Sequence, residues 1–462
     1  MGNNTNNSAN KNSNTDTREL ALEMLLEINE RGQFSHIVLR NVLDKYQYLS
    51  KQDRAFMTRL VDGTIEYMLQ LDYIIDQFSK TKVRKMKPLI RNLLRMSVYQ
   101  IKYMDSVPDS AVCNEAVKIA KRHKFGQLSG FVNGVLRNIA RNIDTIEFPD
   151  LSVRYSMPQW IVDRFVSSYG DKKAEEIFKN FQTKSTISIR TNLSACTPEE
   201  LKERLTAEGV TVTVVPELDY AFMISDFDHL SGLDSFNEGL FYVQDVSSMM
   251  VAETAAPKPG DHVIDVCAAP GGKSTHIAEK LNGTGHVVAR DLTDYKVDMI
   301  EENIERHGIT NMSAEVFDAT EYDEASKESA DIVICDLPCS GLGVLGRKKD
   351  IRYKMSPKGL DDLAALQRQI LDTVHTYVKP GGVLVYSTCT IDEEENEKNV
   401  QWFLEKYPQY TLDKSFFNGK GMEQMLPGEH GNDGFFIARL IRNTHKVLNI
   451  NYTIRSEYGR KQ

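Results

Sequence analysis

The 462-residue chain lacks several features that would place it quickly. No run of about 18 apolar residues occurs, so no membrane-spanning helix is expected. The start has no apolar core of the kind a secretory signal carries. Its first sixteen residues, MGNNTNNSANKNSNTD, offer nothing to bury and predict a disordered tail over 1–16. Cysteine is sparse: Cys113, Cys196, Cys267, Cys335, Cys339 and Cys389 show neither zinc-ligand spacing nor a secreted framework. No metal is expected, and free thiols suit a reducing, cytoplasmic compartment. One absence is a single residue. DVCAAPGGKST (265–275) nearly reads as a nucleoside-triphosphate phosphate loop, but that loop needs a glycine where Cys267 stands. Pro270 also removes one N–H donor. Gly271 and Gly272 still allow close backbone approach, so a different small ligand is expected.

The net charge of −9 argues against nucleic acid until its distribution is read. Residues 17–145 hold 21 Lys and Arg against 14 Asp and Glu, a net of +7, which leaves −16 on the remainder. The cations cluster in KTKVRKMKPLIRNLLR (80–95) and KIAKRHK (118–124). A single run of this kind is as readily a solvated helix face. Two runs in one domain point to a polyanion, RNA or DNA.

Apolar spacing of three and four residues predicts a helical bundle over 17–145, with one helix running through DRAFMTRLVDGTIEYMLQLDYIIDQF. FPDLSVRYSMPQW (148–160) reads as a linker leading into another helix. Together with a small α+β unit it makes up 146–235, where Thr197 with Glu200 predicts a capped helix. From 236 to 445, strands alternate with helices: HVIDV, HVVARD, SAEVFD, ADIVICD, GVLVYSTC. That alternation predicts a doubly wound, mostly parallel α/β sheet. Residues 446–462 are a tail. Trp160 and Trp402 are expected in cores.

Such sheets bind ligands at the carboxyl ends of their strands. There stand Cys267, Asp291, Asp318, Asp336 and Cys389, one per strand. Asp291 lies 20 residues beyond Gly271, the spacing of a ribose-binding acid; the bland alternative is an ordinary exposed aspartate. Asp318 would face an adenine amino group. A glycine loop with these acids and no phosphate grip suits S-adenosylmethionine. Two cysteines on that rim, Cys339 and Cys389, suit one methylation above others. Carbon 5 of cytosine is a poor nucleophile until a thiolate adds at carbon 6. A carboxyl group beside N3 spreads the developing charge, and Asp336 is placed for it. The base must be unstacked to enter.

DVCAAPGGKST, ARDLTDYKVDMIEEN, DLPCSGLG, VYSTCTIDEEENE, HGNDGFFIARL and GLFYVQDVSSMM resemble motifs of the RNA cytosine-5 methyltransferases of the Nol1/Nop2/Sun type. DRAFMTRLVDGTIEYML and FVNGVLRNI resemble the RNA-binding fold of the antiterminator NusB. The resemblance covers about 17–445. It implies a NusB-like bundle, a ferredoxin- or RRM-like middle unit and a Rossmann-like methyltransferase domain. It further implies a monomer acting on 16S rRNA, free or within an assembling small subunit, at a site of the cytosine-967 type. By the same resemblance Cys389 is the nucleophile and Cys339 assists product release. The DNA enzymes, which use a Pro-Cys motif, would make Cys339 the attacker. S-adenosylmethionine would lie against Cys267, Ala268, Ala269, Pro270, Gly271, Gly272 and Lys273, with Asp291, Asp318 and Asp336. Lys273 either pairs with the methionine carboxylate or steers RNA. Arg347, Lys348, Lys349, Arg352 and Lys354 either clamp phosphates or line a solvated loop. His430 and Asp433 sit in the final motif, with a structural or base-adjacent role. An RNA adaptor with a decayed enzyme domain should have lost a cysteine or the glycine loop; all are present. A tRNA substrate is the remaining alternative, because fold alone does not choose the RNA.

Overall fold

The computed structural model describes residues 16–183, 186–428 and 432–444. The expected tails at 1–16 and 446–462 therefore lie outside the described residues, apart from Asp16. The chain forms two compact units, one spanning 1–185 with 344–357 and the other 186–343 with 358–462.

Among its described residues the first unit forms only helices and the loops between them. Its opening helix, Thr17–Asn29, is capped by the Asp16 carboxylate, which accepts from the N–H groups of Arg18 and Glu19. Ala21, Leu22, Leu25 and Ile28 face the core at helical spacing. Helix Pro88–Tyr103 runs through the middle and buries residues on every side, Asn92, Arg95 and Gln100 included. Arg95 is buried with its partner, Asp72, 2.7 Å away.

The single helix expected across 53–78 is two, Lys51–Glu66 and Met68–Phe78. The break falls at Tyr67, whose ring stacks on Tyr103 at 4.3 Å. The Leu69 N–H that the break frees donates to Ser156 Oγ at 2.8 Å. The expected linker contains a helical turn, Leu151–Arg154, capped by Asp150. Helices Gln159–Tyr169 and Asp171–Phe181 follow. Trp160 and Trp402 are only half-buried, and Trp402 packs against the core of the larger sheet.

The second unit contains two sheets. The smaller has strands β1 (Ile187–Thr191), β2 (Thr211–Val214), β3 (Ala221–Ser225) and β4 (Phe241–Val243), antiparallel in the order β2-β3-β1-β4. Helix Pro198–Ala207 lies between β1 and β2 and carries the expected capping box of Thr197 and Glu200. Arg190 of β1 is buried against Tyr242, donates to Gln244 at 2.8 Å and pairs with Glu279. That pair seats the small sheet on the helix Gly272–Lys280.

The larger sheet has strands β5 (His262–Asp265), β6 (His286–Asp291), β7 (Met312–Val316), β8 (Ala330–Asp336), β9 (Val378–Thr388), β10 (Tyr410–Leu412), β11 (Met422–Met425) and β12 (Phe435–Arg442). Its order is β10-β12-β9-β8-β5-β6-β7, with β11 beside β12. β5 through β9 pair in parallel, and β10, β11 and β12 run antiparallel to their neighbours. Parallel neighbours need crossovers, which helices Gly272–Lys280, Asp294–His307 and Pro357–Val374 supply. The strand order reverses between β5 and β8, so the carboxyl ends of these two strands form the switch-point crevice. No described helix is long and apolar enough to cross a membrane.

Candidate active site

The glycine loop leaves β5 at Asp265, which is fully buried. Its carboxylate accepts from Ser274 Oγ at 2.5 Å and from the Cys267 N–H at 3.4 Å, and burial pushes it up to about 7. The loop's amides point inward. Ala268 N–H donates to Arg290 O at 2.8 Å, Ala269 N–H to Asp291 at 2.9 Å and Gly271 N–H to Ala268 O at 2.7 Å. A phosphate-gripping loop presents those donors to its ligand, whereas here they are engaged within the protein. Gly271 has φ +100°, and a Cβ there would come within 3.3 Å of Ile300. The loop must therefore stay bare.

Asp291 ends β6 and is buried. Besides Ala269 it accepts from the Leu292 N–H and from Lys296 Nζ, each at 2.8 Å. Asp318, two residues past β7, accepts from the N–H and hydroxyl of Thr320. Leu292, directly after Asp291, stands 56% exposed, an apolar side chain at a strand end that the sequence reading passed over. Two acceptor carboxylates, an apolar side chain and a bare glycine with inward amides fit an adenosyl group and not a triphosphate.

The strand ends of β8 and β9 carry the second half of the site. Asp336 accepts from Ser387 Oγ at 2.8 Å and pairs with Lys273 Nζ at 2.7 Å. Burial works against the Lys273 ammonium, but Asp336, with Asp265 and Cys389 nearby, raises its pKa and keeps it charged. To the two uses of Lys273 left open by spacing the structure adds a third, a partner for Asp336. Cys339 and Cys389, 50 residues apart, bring their sulfurs to 2.9 Å, and the Cys389 N–H donates to Cys339 Sγ at 3.3 Å. The hydrogen bond to Cys389 and then burial push the Cys339 thiol well up, so Cys339 keeps its proton. Burial likewise raises Cys267 and Cys335, and Cys113 lies in the helical unit.

One expectation turns out differently. Most of the basic residues at 347–354 neither line a solvated loop nor stand free for phosphates: Arg352 is buried, and Lys349 and Lys354 pair with Glu66 and Asp350 inside the helical unit. Only Lys348 among them is exposed. Asp433 offers its backbone N–H to Asp245 at 3.4 Å, and His430 lies outside the described residues. In the acidic run after Cys389, Asp392, Glu395 and Asn396 are buried.

A sheet of this order, with a bare glycine loop and acidic strand ends at its switch point, is that of an S-adenosylmethionine-dependent methyltransferase. A family model described as 16S rRNA methyltransferase RsmB/F matches residues 252–441, a NusB family model matches 15–141, and an RsmF/B-like ferredoxin-like model matches 157–227. Among curated relatives, the probable ribosomal RNA small subunit methyltransferase B of Bacillus subtilis is 37% identical over 443 residues, covering 92% of this chain and 98% of that protein. The ribosomal RNA small subunit methyltransferase B of Salmonella paratyphi A is 31% identical over 428 residues, with the same coverage. The crystal structure of PH0851 superposes with a TM-score of 0.78 at 26% identity, over 92% of this chain and 99% of that one. NSun6 from Pyrococcus horikoshii matches with a TM-score of 0.57 at 25% identity, over 63% of this chain and 99% of its own. The chain belongs to the RsmB/F family of 16S rRNA methyltransferases.

Proposed function

We propose that the protein methylates carbon 5 of a cytosine in 16S rRNA, of the cytosine-967 type, through a covalent bond between Cys389 and carbon 6. The observation that carries this reading is the 2.9 Å contact of Cys339 and Cys389 beside the Lys273–Asp336 pair. S-adenosylmethionine, when bound, supplies an electrophilic methyl sulfonium. The residues placed to hold it are the loop Cys267–Lys273, through its backbone and bare glycines, with Asp291 and Asp318 at the strand ends and Asp336 beyond them.

The chain's own groups divide the work. The Cys389 thiolate adds to carbon 6, and its electron pair makes carbon 5 nucleophilic. Cys339, which keeps its proton, donates to the Cys389 sulfur and stabilises that thiolate before attack and again as it leaves. Asp336 contacts the N3 edge, and the Lys273 ammonium beside it supplies the proton that an ionised carboxylate lacks. Once carbon 5 carries its methyl group, its proton departs to a base and Cys389 is eliminated. Exposed cations of the helical unit supply affinity for the RNA backbone.

The test is a denaturing gel of wild type, Cys339→Ala and Cys389→Ala, each incubated with S-adenosylmethionine and unmodified 16S rRNA. Cys339→Ala is expected to accumulate a covalent protein–RNA band, and Cys389→Ala to show neither band nor methyl transfer. A band with Cys389→Ala instead would reverse the two roles. Wild type that methylates tRNA and leaves 16S rRNA unmodified would overturn the substrate.

A further inference from the structure

The segment after Cys389, TIDEEEN, carries a fully buried carboxylate that the scheme above does not use. Glu395 Oε2 accepts from the Ser340 N–H at 2.9 Å and from Gln367 Nε2 at 2.8 Å, and Oε1 accepts from the Ser340 hydroxyl. Gln367 Nε2 also donates to Pro338 O at 2.8 Å. Both neighbours of Cys339 are thereby held, Pro338 by its carbonyl and Ser340 by its N–H and hydroxyl. The clamp reaches Cys389 as well. Ser340 Oγ lies 3.0 Å from Thr390 Oγ1, and the Glu395 carbonyl accepts from Tyr386 on β9, the strand that leads to Cys389.

Among the described residues, none of the carboxylate's hydrogen-bond partners is charged. A buried carboxylate held only by neutral donors is a poor device for stability, because its desolvation is not offset by an opposite charge. Its partners are instead chosen for position. They join two loops 55 residues apart in sequence at a single side chain.

We propose that Glu395 is a positioning residue that fixes the Cys339 loop on the Cys389 loop, so that the Cys339 thiol stays against the Cys389 sulfur and the RNA adduct can be resolved. Burial raises the Glu395 carboxyl, and in its ionised form its charge acts in the same direction by helping to hold the proton on Cys339. The proposal rests on the roles assigned above to the two cysteines, and its test separates the two claims.

The first readout needs no RNA. Phenylarsine oxide condenses with two adjacent thiols, forming two As–S bonds and releasing water, so its affinity for the full-length protein reports the sulfur–sulfur contact. Cys339→Ala gives the background from the other cysteines. Glu395→Ala is expected to bind about a hundredfold more weakly than wild type, the scale of effect that a 1 Å misplacement produces. Ser340→Ala, which keeps the carboxylate and the Ser340 N–H but loses the hydroxyl's bonds to Glu395 and Thr390, is expected to fall between them. Wild-type affinity in Glu395→Ala overturns the proposal. Should that variant fail to fold, wild-type affinity in both Glu395→Gln and Ser340→Ala overturns it.

The second readout is the gel. Glu395→Ala is expected to accumulate the covalent band as Cys339→Ala does, with kcat reduced and KM for RNA unchanged. A merely structural role would lower the yield of folded protein without trapping RNA. Failure of Cys339→Ala to trap the band would sink the assigned cysteine roles, and the arsenical would still decide whether Glu395 sets the contact.

Discussion

Lys80–Lys87 reads KTKVRKMK and Arg347–Lys354 reads RKKDIRYK, and in composition the two stretches are near equals. In the first, Val83 and Met86 are buried while Arg84, Lys85 and Lys87 are exposed and make no ion pair among the described residues. In the second, Arg352 is buried and donates to Leu345 O at 2.9 Å. There Asp350 accepts from the Ser35 N–H and hydroxyl and pairs with Lys354, while Lys349 pairs with Glu66 at 2.9 Å. Alternating small anchors with cations leaves charge on the surface. A run that carries its own carboxylate and a tyrosine can be folded inward, with Lys349 and Lys354 matched by Glu66 and Asp350. Density of basic residues therefore does not by itself mark a phosphate-binding face.

The largest break in this comparison should come from Asp350→Ala, which leaves Lys354 and the Ser35 N–H without their buried acceptor. The expected cost is about 3 kcal/mol of stability, read as a lower urea midpoint, with the salt dependence of RNA binding unchanged. Burial works to raise the Asp350 carboxyl, but hydrogen bonds from Lys354 and Ser35 outweigh it and leave its pKa lowered. A lowered pKa stabilises the fold above the ordinary carboxylate range, and that contribution is lost as pH falls through the folded value. Wild type and variant should thus converge in acid. An equal gap at neutral and acid pH would show that the carboxylate charge is not the cause.

Replacing Arg84, Lys85 and Lys87 together by alanine should do the reverse. RNA affinity should fall about tenfold or more and the salt slope should flatten by about 2, with the urea midpoint unmoved. Fluorescence anisotropy across a salt series measures both. An unchanged slope would remove this face from the RNA interface. Smallest is Lys349→Met, expected to cost about 1 kcal/mol by leaving Glu66 without its half-buried partner, again with no change in salt slope. A flattened slope there would mean that Lys349 reaches RNA after all. Deleting 17–145 to remove RNA binding is a poorer experiment than these, since it also removes Ser35 and Glu66 from under the 344–357 segment.

Much of the fold was legible in the sequence because it rests on local signals. Apolar spacing marked the helices of the first unit, and strand–helix alternation marked the parallel sheet. The Thr197–Glu200 pair marked a helix start that the structure shows as a full capping box. The break at Tyr67 was not legible, since it depends on Tyr103 and on Ser156, far along the chain. Neither was the burial of Glu395, one acid in a run of acids, because its partners Ser340 and Gln367 lie on other segments. The signal that was available is the pair of asparagines beside it: Asn396 and Asn399 are both buried and join the same network.

The sequence by itself determined which groups stand at the carboxyl ends of the strands. The connectivity rule for parallel strands brings those ends to one edge whatever the packing details. Cys267, Asp291, Asp318, Asp336 and Cys389 could be placed there from pattern alone. Only the tertiary structure decided how those groups pair: Lys273 with Asp336, Cys339 with Cys389, both cysteine loops with Glu395, and one basic run inward while the other faces out. Hydrophobic period is a property of neighbours along the chain. A hydrogen-bond or ion-pair partner is a property of neighbours in space, and register and burial choose it.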